Sequence, residues 1–260
     1  MLGLLLGFST IRTPQGEQLH DLAAVVKQKI DSSIEVMRAT SAEPSVRSTD
    51  SLSLISTAQM GIPEDADVEK RAVAQEILAQ NGDFASIFFL TAEGDVYMGE
   101  PFDQQKQLPR LNYGDRDWYR GAVSTKDAYV SSVFMSAAIN KPAIGIAVPV
   151  YAKDGSESVS GYWVAIVKLE EIEKSLRQSA MDSGSRVILV DHNGIQVADT
   201  LRDPSTDMTE LRSYSGLASV EQALSGKSGH LREIIGDELV DVHYAPAQAY
   251  PHTWAIILID

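Results

Sequence analysis

From residue 85 onward the chain alternates short apolar runs with glycine-bearing turns, and it passes through this pattern twice. In the first pass, residues 85–90 and 96–98 read as strands on either side of Ala92-Glu93-Gly94-Asp95. Strands at 129–135 and 143–151 follow, and Lys153-Asp154-Gly155 turns the chain into 161–168. Glycine at such turns supplies positive φ, so these are hairpin patterns. A helix from about 170 to about 180 closes the block. The second block opens with 186–190, Asp191-His192-Asn193-Gly194 and 195–198. Phe88-Phe89-Leu90-Thr91-Ala92-Glu93-Gly94 stands against Ile188-Leu189-Val190-Asp191-His192-Asn193-Gly194. The landmarks Gly94, Pro149 and Trp163 match Gly194, Pro246 and Trp254 at offsets of 100, 97 and 91 residues. Hairpins outnumber βαβ crossovers, which implies an α+β chain of two tandem modules with antiparallel sheets and not a doubly wound sheet.

The segment before these blocks is helical. Thr13-Pro14 is a helix start, with Thr as N-cap and Pro at the first helical position. Apolar residues then recur at Leu19, Leu22, Val26, Ile30, Ile34 and Met37, the spacing of one helix face. A helix from about 14 to about 40 would be roughly 40 Å long at 1.5 Å per residue, enough to lie beside more than one module. A polar stretch runs from Thr40 to Asp67, and a second helix from about 68 to about 80 breaks at Asn81-Gly82. The expected division is a spine helix and linker over 1–66, a first module over 67–180 and a second over 181–260. The apolar start, residues 1–8, is too short to span a bilayer and lacks the flanks of a signal peptide. It is compatible with the outer end of a membrane helix.

Charge and composition exclude several functions. A net charge of −14 and a pI near 4.7 argue against nucleic acid and anionic lipid as partners, since no basic cluster is present to neutralise phosphates. With no cysteine there is no disulfide framework, thiolate zinc site or Cys nucleophile. No Gly-x-Ser-x-Gly elbow occurs, and the five histidines (20, 192, 230, 243, 252) show no metal-ligand spacing. Gly226-Lys227-Ser228 has Glu221 where a phosphate loop needs glycine. Asp191-His192-Asn193-Gly194 has Arg202 where a calcium loop needs Glu. Both read as turns. No enzyme, cofactor or metal is expected.

The chemistry concentrates in Asp115-Arg116-Asp117-Trp118-Tyr119-Arg120-Gly121-Ala122. Arg offers a planar fork of donors that fits a carboxylate, and Trp and Tyr supply rigid walls with one polar handle each. On a helical turn Arg116 and Tyr119 would share a face. Such a cluster suits a pocket for a small organic acid. The same residues also admit a surface helix whose Arg116 pairs with Asp115 or Asp117 while the aromatics fill core.

Together with Ala128-Tyr129-Val130-Ser131, with the run from Pro142 to Val150 and with the run from Gly161 to Leu169, this segment resembles the double Cache domain. That family is a tandem PAS-like sensor outside many bacterial and archaeal receptors. The resemblance covers most of the chain. It implies an extracytoplasmic, membrane-anchored sensor of a histidine kinase, chemoreceptor, cyclase or phosphatase, with the ligand in a membrane-distal module; the membrane-proximal one lacks an Arg-x-Trp-Tyr cluster and is expected to be empty. In members that bind amino acids the pattern implies that Arg116, Trp118 and Tyr119 hold the ligand carboxylate. The pattern also wants a Tyr five residues before the Arg and an Asp on the last distal strand for the ammonium. Here these positions read Leu111 and Ile166, while Phe134 and Ser136 take another pocket position. An ammonium opposite Ile166 would be desolvated without a counter-charge. The expected ligand is therefore a carboxylate without an α-amino group, such as lactate, pyruvate, acetate or propionate. Tyr113 is a candidate lid, and Tyr162 and Val164 share parity with Ile166 as a cavity floor. Tyr129 and Phe134, on one strand with opposite parity, cannot both face the pocket; the alignment favours Phe134. Trp163 is expected on the opposite face against a helix, and Asn140-Lys141 in a solvated turn. The alternatives are an amino-acid sensor, or a ligand-free structural module forming a homodimer through the apolar stripe of the N-terminal helix.

Overall fold

Two antiparallel sheets share one long helix. The computed structural model describes residues 14–153, 158–180, 185–202 and 207–260, so Thr13, the 1–8 segment and the turn at 154–155 lie outside the described residues. Helix α1 (Pro14–Ser41) is followed by α2 (Val68–Gln80). The first module contains β1 (Phe84–Thr91), β2 (Val96–Glu100), α3 (Phe102–Lys106), α4 (Asp117–Thr125), β3 (Tyr129–Val130), β4 (Phe134–Ser136), β5 (Lys141–Tyr151) and β6 (Val159–Lys168). Helix α5 (Leu169–Ala180) leads to β7 (Arg186–Val190), β8 (Gln196–Asp199), α6 (Ala218–Leu224), β9 (Gly229–Ile235), β10 (Glu238–Ala249) and β11 (His252–Ile259). The first sheet has the order β2-β1-β6-β5-β3, with β4 also on β5; the second has β8-β7-β11-β10-β9. This is the tandem PAS-like α+β fold expected.

The apolar stripe of α1 explains how the sheets are held. Leu19, Leu22, Val26, Ile30, Ile34 and Met37 are all buried, in one core with Phe89, Trp163 and Ala165 of the first sheet and Trp254, Ile256 and Leu258 of the second. Burying an aliphatic side chain contributes about 1.5–3 kcal/mol, so this stripe is a large share of what keeps the helix in place. The stripe is thus used inside the chain, so a homodimer through this helix would have to use its other face. Trp163 faces the helix as expected, its indole N–H donating to Thr40 Oγ1 at 3.1 Å.

The linker is tied to the first module by a buried cation. Arg71 donates to the carbonyls of Ile62 and Pro63 on one side and to Gly99 O and Glu100 Oε1 (2.6 Å) on the other. Among the described residues no helix is long and apolar enough to cross a membrane.

Two expectations need correction. Gly94 and Gly194 both take positive φ, and Pro149 and Pro246 are equivalent, since Pro149 pairs with Tyr162 opposite Leu90 and Pro246 with Ala255 opposite Val190. By the same register Trp163 corresponds to Ile256, and Trp254 to Gly161. The tryptophans share a face but sit two residues apart. Gly161 has no room for more, because a Cβ there would lie 2.5 Å from the Phe89 ring. The single strand expected over 129–135 is two short strands. Between them the Ser132 and Val133 amides bond carboxylates of Asp117 and Asp191 in place of the sheet, so the parity argument for Tyr129 and Phe134 does not apply.

Candidate functional site

The loop before α4 is folded onto the β1–β2 turn. Gly94 permits the approach, for a Cβ on it would stand 2.8 Å from the Gly114 backbone. Val96 N–H donates to Leu111 O and Tyr113 N–H to Gly94 O, while the Asn112 amide spans Glu93 O and Asp95 Oδ1. These bonds fix Tyr113 over the sheet. Arg116 then occupies the N-cap of α4 with extended dihedrals (φ −73°, ψ 145°). Its side chain departs before the helix begins, so it does not share a helical face with Tyr119.

The neighbouring carboxylates are engaged elsewhere. Asp115 pairs with Arg110 at 2.6 Å. Asp117 accepts from the Tyr129 hydroxyl (3.0 Å), the Ser132 amide (2.9 Å) and the Ser132 hydroxyl (3.3 Å). Arg116 makes no ion pair among the described residues; its guanidinium carbon lies 5.8 Å from the Tyr113 ring centre and 5.4 Å from that of Phe134, within cation–π range of both. Trp118 stacks on Tyr113 at 6.5 Å and 22° and lies over Gly145, where a Cβ would come within 2.6 Å of its ring.

Together these side chains form a half-open cavity of about 30 Å³, more than the roughly 10–15 Å³ that one water requires. Tyr113, Arg116, Trp118, Phe134, Ser136 and Ile166 line it, over a floor that includes Phe88, Leu90, Val96 and Leu108. Among the described residues no Asp or Glu lines it. At the cavity three buried donors have no hydrogen-bond partner among the described residues: Tyr113 Oη, Arg116 Nε and Trp118 Nε1. Buried polar groups are nearly always satisfied, and leaving one unmade costs about 1–3 kcal/mol. Three orphans on one small cavity therefore mark a place for an acceptor. Burial raises the Tyr113 hydroxyl above the ordinary phenol range, against the pull of Arg110 and Arg116, so it stays protonated and can donate. Among the described residues no group of three or more His, Asp or Glu could hold a metal.

Six of the eight residues singled out in the sequence meet at this cavity. Tyr119 and Tyr162 do not: the Tyr119 hydroxyl donates to Ala92 O at 2.6 Å, and its ring meets Tyr162 edge-on at 4.9 Å, forming a layer beside the cavity. Tyr129 is turned away, with its edge on His252 at 5.0 Å. The floor residues Phe88 and Leu90 were not singled out; their i, i+2 spacing on β1 was the available signal.

Comparison with known proteins agrees with this architecture. A family model described as Cache domain matches residues 9–259. Among solved structures, the chain is similar to the ligand-binding domain of the Pseudomonas aeruginosa PAO1 amino acid chemoreceptor PctB in complex with L-Gln, at 16% identity and TM-score 0.66, covering 94% of this chain and 88% of that one. The ligand-binding domain of the Pseudomonas fluorescens chemoreceptor CtaA in complex with L-serine gives 17% identity and TM-score 0.66, covering 94% of each chain. That of PctC from Pseudomonas aeruginosa PAO1 in complex with GABA gives 15% and 0.63, covering 95% and 98%. No curated protein sequence matches.

Proposed function

The chain belongs to the Cache domain family, and from that premise we propose that it senses a small carboxylate without an α-amino group. As a Cache sensor it is an extracytoplasmic part of a membrane receptor. The observation that carries the ligand reading is the set of three unpartnered buried donors, Tyr113 Oη, Arg116 Nε and Trp118 Nε1, around a cavity with no acidic wall. A carboxylate would accept from all three, with Arg116 supplying the charge. Charge-assisted bonds of this kind are roughly twice as strong as neutral ones. No carboxylate lines the cavity to pair with an ammonium: Ile166 stands on the last strand of the module, and an unpaired buried charge is costly. The small volume favours compact acids such as acetate, propionate, lactate or pyruvate.

A second reading is an amino-acid sensor, favoured by the similar chemoreceptor domains solved with L-Gln and L-serine. The domain solved with GABA holds a carboxylate whose amine is remote from it. A thermal-shift panel of the four acids, L-alanine, L-serine and GABA separates the readings. At a hundred times its dissociation constant a true ligand stabilises the domain by about 2.7 kcal/mol, and Arg116→Ala removes the shift. A shift from the amino acids alone, or one that survives Arg116→Ala, overturns the proposal.

A further inference from the structure

The strip between β3 and β4 has backbone amides that the sheet does not use, and buried amides must find acceptors. Ser131 N–H returns to Gly145 O at 2.9 Å. Ser132 N–H donates to Asp117 Oδ2, on the residue that follows Arg116. Val133 N–H leaves the module and donates to Asp191 Oδ2 at 2.8 Å, in the β7–β8 turn of the second sheet. Asp191 is fully buried, and its other oxygen accepts from Asn193 N–H and Ile195 N–H, both at 2.9 Å. Its own turn thus fixes the carboxylate, which presents one oxygen to the other module. The strand before the strip, β3, is fastened to the second module as well, by Val130 N–H on Tyr250 O (3.2 Å) and by the Tyr129 ring against His252.

Val133 lies between the two residues that frame the cation. Before it, Ser132 holds the carboxylate adjacent to Arg116; after it, Phe134 lays its ring on the guanidinium. We infer that Asp191, although in the second module, is a positioning residue for the anion site of the first. This deepens the functional reading above and rests on it. Through Val133, Asp191 sets where the Phe134 wall stands relative to Arg116. Linkage is reciprocal, so an anion that draws Arg116 and Phe134 together tightens the Val133–Asp191 bond. Occupancy of the first module then reaches the second through that bond.

Asp191→Asn tests the inference. The side-chain carbonyl still caps the Asn193 and Ile195 amides, while the new NH2 opposes Val133 N–H, so only the bond between modules is lost. The full chain is read in two ways. In the ligand-free protein the ¹⁵N resonance of Arg116 Nε–H shifts, because the Phe134 ring moves over it. For whichever acid the panel identifies, the dissociation constant rises about fivefold, the equivalent of one ordinary buried hydrogen bond. Val220→Ala, on the buried face of α6, weakens the second module and changes neither reading. Val133→Pro deletes the same bond from the donor side and serves if Asn disturbs the turn. An unmoved Arg116 signal overturns the inference while leaving the acid-sensor reading intact, and so does an equal response to Val220→Ala. If no acid binds the wild-type chain, the sensor reading falls, and the Arg116 signal alone decides whether Asp191 positions the cation.

Discussion

The two modules place nearly the same backbone around two different interiors. Tyr113 N–H bonds Gly94 O and Tyr214 N–H bonds Gly194 O, each at 2.8 Å. The residues three further on, Arg116 and Leu217, cap α4 and α6 with matching extended dihedrals. Both modules fold the loop onto the glycine turn and start a helix from it. In the first, the cap projects a guanidinium that finds no carboxylate. In the second, the cap is leucine, the position of Trp118 is Ser219, and Ser219 bonds Glu233. The cation on that side is already satisfied, with Arg186 forked onto Asp199 at 3.0 and 2.6 Å. A shared fold therefore does not make a shared site. What sets the first module apart is a guanidinium at the helix cap that makes no ion pair among the described residues, where the matching cap of the second carries an apolar side chain.

The comparison is broken most sharply by Arg116→Ala, which removes binding, against Leu217→Ala, which leaves the dissociation constant unchanged in the same titration. A nearly equal effect comes from Ile166→Asp. The new carboxylate adds a counter-charge opposite Arg116, so the panel's preference moves from simple acids to L-alanine and L-serine. Without ligand the same variant melts lower, because a charge has been placed in an apolar wall. Gly145→Ala acts more mildly. Its Cβ meets Trp118 at 2.6 Å, and overpacking of this kind costs about 1–3 kcal/mol. Calorimetry should find weaker acid binding together with a lower melting temperature.

The smallest effect concerns the junction. His192 and His252 stack at 3.8 Å and 16°, with His192 Nδ1 and His252 Nε2 buried and unpartnered. Burial lowers the His252 pKa, and His192 lowers it further, while Asp117 and Asp191 oppose the shift. The unfolded chain then binds the proton more readily than the folded one. Stability is complete above the ordinary histidine value of about 6.5 and falls as the pH drops below it. His252→Phe, placed against the Tyr129 ring edge, should flatten the slope of melting temperature with pH in that range. His243, lowered by its own burial and by His230, retains the remainder. An unchanged slope removes the stacked pair as its source.

Much of the candidate site is legible in the sequence because motif and local geometry coincide. Arg116, Trp118 and Tyr113 lie within six residues, and any loop bringing one to the sheet brings the others. Ile166 and Phe134 came from the family pattern. Tyr119 lies beside the cavity because the helix starts at Asp117, after Arg116, and its hydroxyl donates to Ala92 O; Tyr162, of the same strand parity as Ile166, packs edge-on against Tyr119. The tryptophan match failed for a different reason, since both indoles face α1 and a face can be shared at positions two residues apart.

The sequence by itself determined the periodicities: a stripe along α1, two glycine-turned hairpin blocks, and a cation beside aromatics. These depend on backbone preference and burial pattern, which are local. Tertiary structure alone decided that Arg116 would be left without a partner. That outcome required Asp115 to reach back to Arg110 and Asp117 to reach forward to Tyr129 and Ser132. Electrostatic pairing is settled by distance in space, and no spacing along the chain records it.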